Sequence, residues 1–195
     1  MLRRMMKYRV LAASAVLLAA GAASAQSYPQ GATGELAARI LAAHNEQRAE
    51  VGAPPLLWDP VLAAHAASYG PVLASIGHLV HSPREGRPGE RENLAMAWHG
   101  TMSPEQLVDM WSRERRLLEP GSYLFPGISR TGRWEDIAHY TQMVWPTTTR
   151  VGCAIYSADW DYLICRYSPP GNKDGKPIFV TAAAGTGAGG ATGRR

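Results

Sequence analysis

The feature that most constrains the fold is a pair of β-prone segments, residues 151–157 and 162–168, each of which contains one of the chain's two cysteines. Between them, Ala158-Asp159-Trp160 can form a three-residue loop centred on Asp159, and this arrangement predicts a β-hairpin. With Asp159 at the centre of the loop, Cys153 and Cys165 lie directly opposite each other. The register therefore predicts a cross-strand disulfide between these two residues.

The first 25 residues have the pattern of a secretory signal peptide. A basic start precedes an apolar stretch over residues 10–20, and Ala23-Ser24-Ala25 forms a small-residue cleavage site. We expect a mature chain that begins at Gln26 and is secreted, either to the extracellular space or to a periplasm. The apolar stretch is too short and too rich in alanine to span a membrane, so the pattern predicts export without anchoring.

The two cysteines have alternatives to a disulfide, namely two buried free thiols or a zinc–thiolate site. An exported chain folds in an oxidising compartment, where disulfides form and persist. A zinc–thiolate site would need further ligands at a spacing that the sequence lacks. The disulfide is therefore the preferred interpretation.

The positive charge of the chain comes from the signal segment. The whole chain carries 20 basic and 16 acidic residues, a formal net charge of +4. All four charged residues of the segment 1–25 are basic, so its removal leaves 16 basic residues against 16 acidic ones. Since the remainder is formally neutral and lacks a basic patch interleaved with aromatic residues, we expect no nucleic-acid partner.

Three helices are predicted before the hairpin. Apolar residues recur at helical spacing over residues 35–51, and an N-cap Asp59 followed by proline opens a second helix over residues 59–73. Residues 92–97 are strand-like, and a capping box at Ser103 opens the third helix. The inner face of that third helix is predicted to consist of Leu107, Met110, Trp111, Leu117 and Leu118.

Proline and glycine divide the rest of the chain. The segments 82–90 and 119–133 are predicted surface loops, and we expect them to form the rim of a site. Residues 26–34 are predicted to be a flexible leader. The tail 181–195, almost entirely Gly, Ala and Thr, has too little apolar area to fold and is predicted to be disordered. One domain, residues 35–180, remains.

Five motifs in chain order resemble those of the CAP superfamily, which comprises cysteine-rich secretory, antigen 5 and pathogenesis-related class 1 proteins. The motifs are H-N-x-x-R at 44–48, E-N-L at 92–94, W-x-x-E at 111–114 and two signature segments around His139 and Cys165. Arg91 stands where the E-N-L motif of the family has a glycine. Over about residues 35–179, the resemblance implies an α+β fold, a three-layer α/β/α sandwich with a small antiparallel sheet flanked by helices.

The resemblance also implies a polar cavity built from four residues of different elements, namely His81, Glu92, Glu114 and His139. Neutral imidazole is a zinc ligand, so His81 and His139 are expected to bind Zn²⁺. Glu92 and Glu114 are then expected to orient the rings or hold a metal-bound water. Asn93 and Gln142 are expected to hydrogen-bond nearby backbone, and no residue is assigned a catalytic role.

Three functions are compatible with these residues. The preferred one is a secreted binding module for zinc, for a small apolar ligand such as a lipid or sterol, or for an extracellular protein. The first alternative is a zinc-dependent, protease-like hydrolase with Glu92 or Glu114 as general base. The second is a metal-free extracellular interaction module in which the four residues form a satisfied polar network. Covalent catalysis has no support, because the chain lacks a G-x-S-x-G motif.

Overall fold

A computed structural model describes residues 30–179 of the chain. The predicted signal peptide, residues 1–25, and the predicted tail, residues 181–195, lie outside the described residues. The helices are α1 (Gln30–Glu50), α2 (Pro60–Ile76), α3 (Pro104–Ser112) and α4 (Ala138–Met143), and the strands are β1 (Leu57–Trp58), β2 (Arg91–Trp98), β3 (Arg150–Ser157) and β4 (Trp160–Ser168). Because α1 begins at Gln30, it includes part of the predicted leader. In the described part of the chain no helix is long and apolar enough to cross a membrane.

The predicted hairpin is formed by β3 and β4, which are the two central strands of the sheet. Cys153 is paired with Cys165 in the strand register, and their sulfur atoms form the disulfide. Trp160, predicted to lie in the loop, belongs to β4 because it also pairs with Trp98 of β2. Both the register and the disulfide predicted from the sequence are confirmed.

The sheet is mixed, with the strand order β1-β3-β4-β2. The pairings of β2 with β4 and of β3 with β4 are antiparallel, whereas β1 runs parallel to β3. The sequence predicted an antiparallel sheet and missed β1. A two-residue strand has no alternating pattern by which it could be recognised.

The first helical layer is α2, which packs on β3 and β4. Its N-cap is confirmed, since the Asp59 carboxylate accepts hydrogen bonds from the backbone N–H groups of Val61 (2.9 Å) and Leu62 (3.2 Å). The start of this helix approaches the sheet at Gly152. A Cβ atom added to Gly152 would lie 2.2 Å from the Ala63 nitrogen, so only glycine permits this contact.

The opposite face of the sheet is covered by α1, α3 and α4, which completes the three-layer sandwich. Alternate residues of β4 face the two layers, as expected for a strand: Tyr162 packs with α2, whereas Leu163 packs with the other three helices. Of the residues predicted for the inner face of α3, Leu107 and Trp111 are buried there, whereas Leu117 and Leu118 lie beyond the end of the helix at Ser112. Met110 was placed wrongly, because its side chain is 39% exposed.

Arg48 joins α1 to the segment that follows α4. Its buried guanidinium donates hydrogen bonds to the carbonyl oxygens of Pro54 (2.6 Å), Met143 (2.9 Å), Trp145 (2.9 Å) and Thr148 (3.0 Å). Burial lowers its pKa to about 10. The cation is thus surrounded by backbone carbonyl groups of the described residues, which fixes the path of the chain around it.

His44, one turn before Arg48 on α1, is a structural residue. Its Nδ1 lies 2.8 Å from the Ile40 carbonyl oxygen, and its Nε2 lies 2.8 Å from the Tyr167 hydroxyl. Burial lowers the pKa of His44 to about 4; the bond to Ile40 opposes this change, and the charge of Arg48 adds to it. The imidazole is therefore held neutral inside the domain.

Candidate functional site

A cavity of about 550 Å³ opens at the end of the sheet where β2 begins and β4 ends. Its wall includes His81, Glu92 and His139, three of the four residues implied by the family resemblance. Both predicted loops contribute to its rim: the segment 82–90 supplies arginines, and the segment 119–133 supplies apolar side chains. Both predicted loops therefore line the same cavity.

His81 and Glu92 form the first imidazole–carboxylate pair. The His81 Nδ1 lies 2.8 Å from Glu92 Oε1. The Glu92 side chain is fully buried, whereas 53% of the His81 side chain is exposed. The carboxylate therefore anchors one ring nitrogen of an imidazole that otherwise faces solvent.

Glu92 is held by three further donors. The backbone N–H of Ser82 donates to Oε1 (2.9 Å), the Ser82 hydroxyl donates to Oε2 (3.0 Å), and a guanidinium nitrogen of Arg166 lies 2.8 Å from Oε2. Burial alone would raise the pKa of Glu92. The bond from His81, the charge of Arg166 and the bonds from Ser82 outweigh it and lower the pKa below the ordinary value, so Glu92 is a stable carboxylate.

His139 and Glu114 form the second pair. The His139 Nδ1 lies 2.6 Å from Glu114 Oε1. The other carboxylate oxygen accepts hydrogen bonds from the backbone N–H groups of His139 (2.9 Å) and Tyr140 (3.0 Å) at the start of α4. The imidazole also stacks on Trp111, with ring centroids 6.0 Å apart and an interplanar angle of 18°. Its orientation is thus fixed by a carboxylate and an aromatic ring.

The two pairs have the same construction. In each, a carboxylate with both oxygens occupied engages the Nδ1 atom of an imidazole on the cavity wall. Neither Nε2 atom has a hydrogen-bond partner among residues 30–179, so Nε2 is the nitrogen available for a metal ion or a ligand. A carboxylate in this position stabilises the tautomer with the proton on Nδ1.

The cavity wall has few side chains that could bind a metal ion. Within residues 30–179, no group of three or more His, Cys, Asp or Glu side chains is placed to hold a metal ion. A zinc ion bound by the two Nε2 atoms alone would need water or a bound ligand at its remaining positions. Such a site is open, unlike the closed four-ligand sites of structural zinc.

Asn93 and Gln142 support the site through the bonds expected of them. Asn93 donates from Nδ2 to the backbone carbonyl of His139 (3.0 Å). The Gln142 carbonyl oxygen accepts a bond from the backbone N–H of Gly171 (3.0 Å), and its Nε2 donates to the Thr148 hydroxyl (3.1 Å). Both amides position the walls of the cavity.

Several residues of the site were not predicted from the sequence. Ser82 and Arg166 hold Glu92, and Arg166 lies directly opposite Glu92 in the register of β2 and β4. The opposite charges of Glu92 and Arg166 would have been a signal, but only with the pairing of β2 and β4 already known. Arg91, in the place of the family glycine, has ordinary extended backbone at the start of β2 and lines the cavity.

Comparison with known proteins agrees with this geometry. The family model of the cysteine-rich secretory protein family, CAP, matches residues 41–167. The chain belongs to the CAP family. It is 38% identical over 141 residues to pathogenesis-related protein 1C of Nicotiana tabacum, a match that covers 71% of this chain and 78% of that protein. It is 37% identical over 138 residues to a PR-1 type pathogenesis-related protein of Sambucus nigra, covering 69% and 76% of the two chains.

Solved structures share the fold of this CAP domain. The crystal structure of NaASP2 with Zn²⁺ aligns with a TM-score of 0.65 and 25% sequence identity, covering 80% of this chain and 91% of that chain. The structure of BmVAL-1 aligns with a TM-score of 0.61 and 23% identity, covering 74% and 82% of the two chains. The family match, the related sequences and the similar solved structures together show the sandwich expected of a CAP domain.

Proposed function

We propose that this protein is a secreted, extracellular binding module whose cavity binds zinc through His81 and His139. The observation that carries the proposal is the pair of imidazoles whose Nδ1 atoms are held by carboxylates while their Nε2 atoms have no partner among the described residues. Zinc-binding histidines commonly donate their other ring N–H to a carboxylate. The bound ion would supply a Lewis acid and an attachment point for a ligand.

The comparisons support two parts of this proposal. NaASP2, a structural neighbour at 25% identity, was solved with Zn²⁺, and the family is named for secretory proteins. These relatives favour an extracellular location, and none of them supports a periplasmic one.

Binding is better supported than hydrolysis because neither carboxylate is free to act as a base. The oxygens of Glu92 accept bonds from His81, Ser82 and Arg166, and its pKa is lowered. Both oxygens of Glu114 are likewise occupied. A general base needs access to the proton that it removes, and these carboxylates instead orient imidazoles.

The ligand classes expected from the family are still predictions. A volume of about 550 Å³ is within the range of small-molecule sites. The wall carries several charged side chains, however, and charged groups are costly to desolvate against an apolar molecule. A wholly apolar lipid or sterol therefore suits this cavity less well than a ligand with a polar group.

Zinc titration of the mature, chelator-treated protein tests the metal site. We expect saturable binding by wild type, loss of binding in His81→Ala and His139→Ala, and unchanged binding in His78→Ala. The control His78 is exposed and bonds the Ile76 carbonyl outside the cavity. With two protein nitrogens, the binding free energy should lie well below the ~10–16 kcal/mol of structural zinc.

Two results would contradict the proposal. Equal zinc binding by His139→Ala and wild type would remove His139 from the site. Chelator-sensitive hydrolysis of a peptide or ester that disappears in Glu114→Gln, with fold and zinc content retained, would favour the hydrolase. The export step has its own test, since mass mapping of the exported protein should place the first residue at Gln26.

A further inference from the structure

Three arginines, Arg84, Arg87 and Arg91, line the same cavity as the two histidines. We propose that these guanidinium groups bind the phosphate group of a phosphate ester, whose apolar part lies against Phe125 and Trp134. This inference rests on the proposed function in one respect, because it assigns a ligand class to the same cavity. It does not require that zinc be bound.

None of the three arginines forms an ion pair with a carboxylate in the described part of the chain. Arg87, only 8% exposed, donates from Nε to the Ser82 carbonyl (3.1 Å) and from Nη1 to the Glu90 carbonyl (3.5 Å). Arg91 donates from Nε to the Gly171 carbonyl (3.2 Å). Arg91 also donates from Nη2 to the Asn172 carbonyl (3.4 Å). These bonds fix the guanidinium groups of Arg87 and Arg91 but leave further N–H donors of both unused, since a guanidinium carries five.

The carboxylates on the cavity wall do not neutralise this cluster. Glu92 is fully buried and already pairs with Arg166. Asp174 is the other carboxylate of the wall, and it is exposed to water, which weakens its attraction for a nearby cation. Since Glu92 is committed to Arg166, the three arginines of the wall outnumber its one remaining carboxylate, and an anion that enters the cavity meets net positive charge.

The surroundings of Arg87 point the same way. Burial lowers the pKa of Arg87, and the charges of Arg166 and Arg84 lower it further, although the charges of Glu92 and Glu90 oppose the change. The positively charged Arg166 and Arg84 thus lie close enough to the partly buried Arg87 to repel it. A bound anion would stabilise all of them at once, because charge-assisted hydrogen bonds are strong where water is partly excluded.

A phosphate ester fits the cluster better than other anions do. A single carboxylate accepts one bidentate guanidinium, whereas a phosphate group has three terminal oxygens and can accept bonds from several. The rim of the same cavity also has an apolar part, with buried Phe125 next to Pro126 and with Trp134, which is 46% exposed. Inorganic phosphate would leave that rim uncovered, so the site suits a phosphate attached to an apolar group.

Phenyl phosphate is the probe that tests this inference. Titrations followed by calorimetry would use the chelator-treated protein and the zinc-loaded protein in parallel. We expect saturable binding to both forms, weaker binding at high salt because exposed charges are screened, weaker binding of inorganic phosphate and no binding of phenol. Anionic vesicles that contain phosphatidic acid in phosphatidylcholine form a second arm, in which binding would identify a lipid headgroup and its absence a soluble ester.

The variants separate a binding role from a structural one. Arg84→Ala and Arg91→Ala should each weaken phenyl phosphate binding by about 5-fold or more, as expected for loss of a charge-assisted bond. Arg116→Ala is the matched control, because Arg116 is an exposed arginine outside the cavity. The Arg84 side chain has no hydrogen bond to other described residues, so its removal should not affect folding.

The inference and the proposed function can fail separately. Absence of saturable phenyl phosphate binding in both protein forms, or equal binding by Arg84→Ala, Arg91→Ala and Arg116→Ala, would overturn the phosphate site and leave zinc binding untouched. Binding of phenyl phosphate to a protein that takes up no zinc would contradict the metal proposal alone.

Discussion

The buried, neutral His44 predicts that the domain loses stability in weak acid. Its imidazole has an ordinary pKa of 6.5 in the unfolded chain and a pKa of about 4 in the folded one. Between these values the unfolded state binds a proton that the folded state does not. The free energy of unfolding therefore has its full value above pH 6.5 and decreases as the pH falls towards 4.

The size of this effect follows from the difference between the two pKa values. One pKa unit corresponds to about 1.4 kcal/mol, so the difference of 2.5 units gives a loss of about 3 kcal/mol at its limit. About 2 kcal/mol of that loss should already be present at pH 5. The main structural reason is burial, because an imidazolium at this position would lose its contact with water. Protonation of Nε2 would also direct a second N–H at the Tyr167 hydroxyl, 2.8 Å away.

Urea unfolding of wild type, His44→Gln and His78→Gln between pH 5 and 8 measures the effect. The slope of stability against pH is the informative quantity, because His44→Gln also loses packing at every pH. The lowered pKa values of Glu92 and Asp161 matter only at lower pH. Parallel curves for wild type and His44→Gln would refute the reasoning, whereas His78→Gln should follow wild type throughout.

Three further substitutions test the supports of the site and the sheet. Glu92→Gln should lower the free energy of unfolding by about 3–5 kcal/mol, because it leaves the buried Arg166 without its closest carboxylate. The control Glu135→Gln, on the surface, should change it by less than about 0.5 kcal/mol. Similar melting temperatures for the two variants would contradict this prediction. Replacing both cysteines by alanine should lower the free energy of unfolding by about 3 kcal/mol, since the disulfide closes a short loop. The stability of this variant, measured by chemical denaturation, should not change when a reductant is added. Gly152→Ala should cost about 1–3 kcal/mol or more, because its Cβ would meet backbone atoms of α2, whereas Gly86→Ala, with open space around it, should be close to neutral.

The sequence predicted those parts of the fold that depend on local signals. The register of Cys153 and Cys165 follows from a hairpin in which both strands and the loop are contiguous, and the cap at Asp59 is a contact over two or three residues. The wall of the cavity was predicted only through the family motifs. His81, Glu92 and His139 come from distant segments, so no local pattern indicates that they meet.

The features that were missed are all non-local. The strand β1 was missed because two residues cannot show a period, and its parallel pairing depends on residues near position 150. The contact of Arg166 with Glu92 needs the register of two strands that are far apart in the chain. Met110 shows a limit of helical periodicity, which identifies a face but not the point at which the neighbouring layer ends.

The carbonyl groups around Arg48 determine which changes the chain can accept after α4. The guanidinium bonds main-chain oxygens of Met143, Trp145 and Thr148, and these atoms are present whatever side chains the residues carry. Side-chain substitutions at these three positions leave the hydrogen bonds to Arg48 in place. An inserted or deleted residue would instead move the carbonyl oxygens away from the guanidinium. Segment length, more than residue type, should therefore be the property that engineered variants must preserve between α4 and β3.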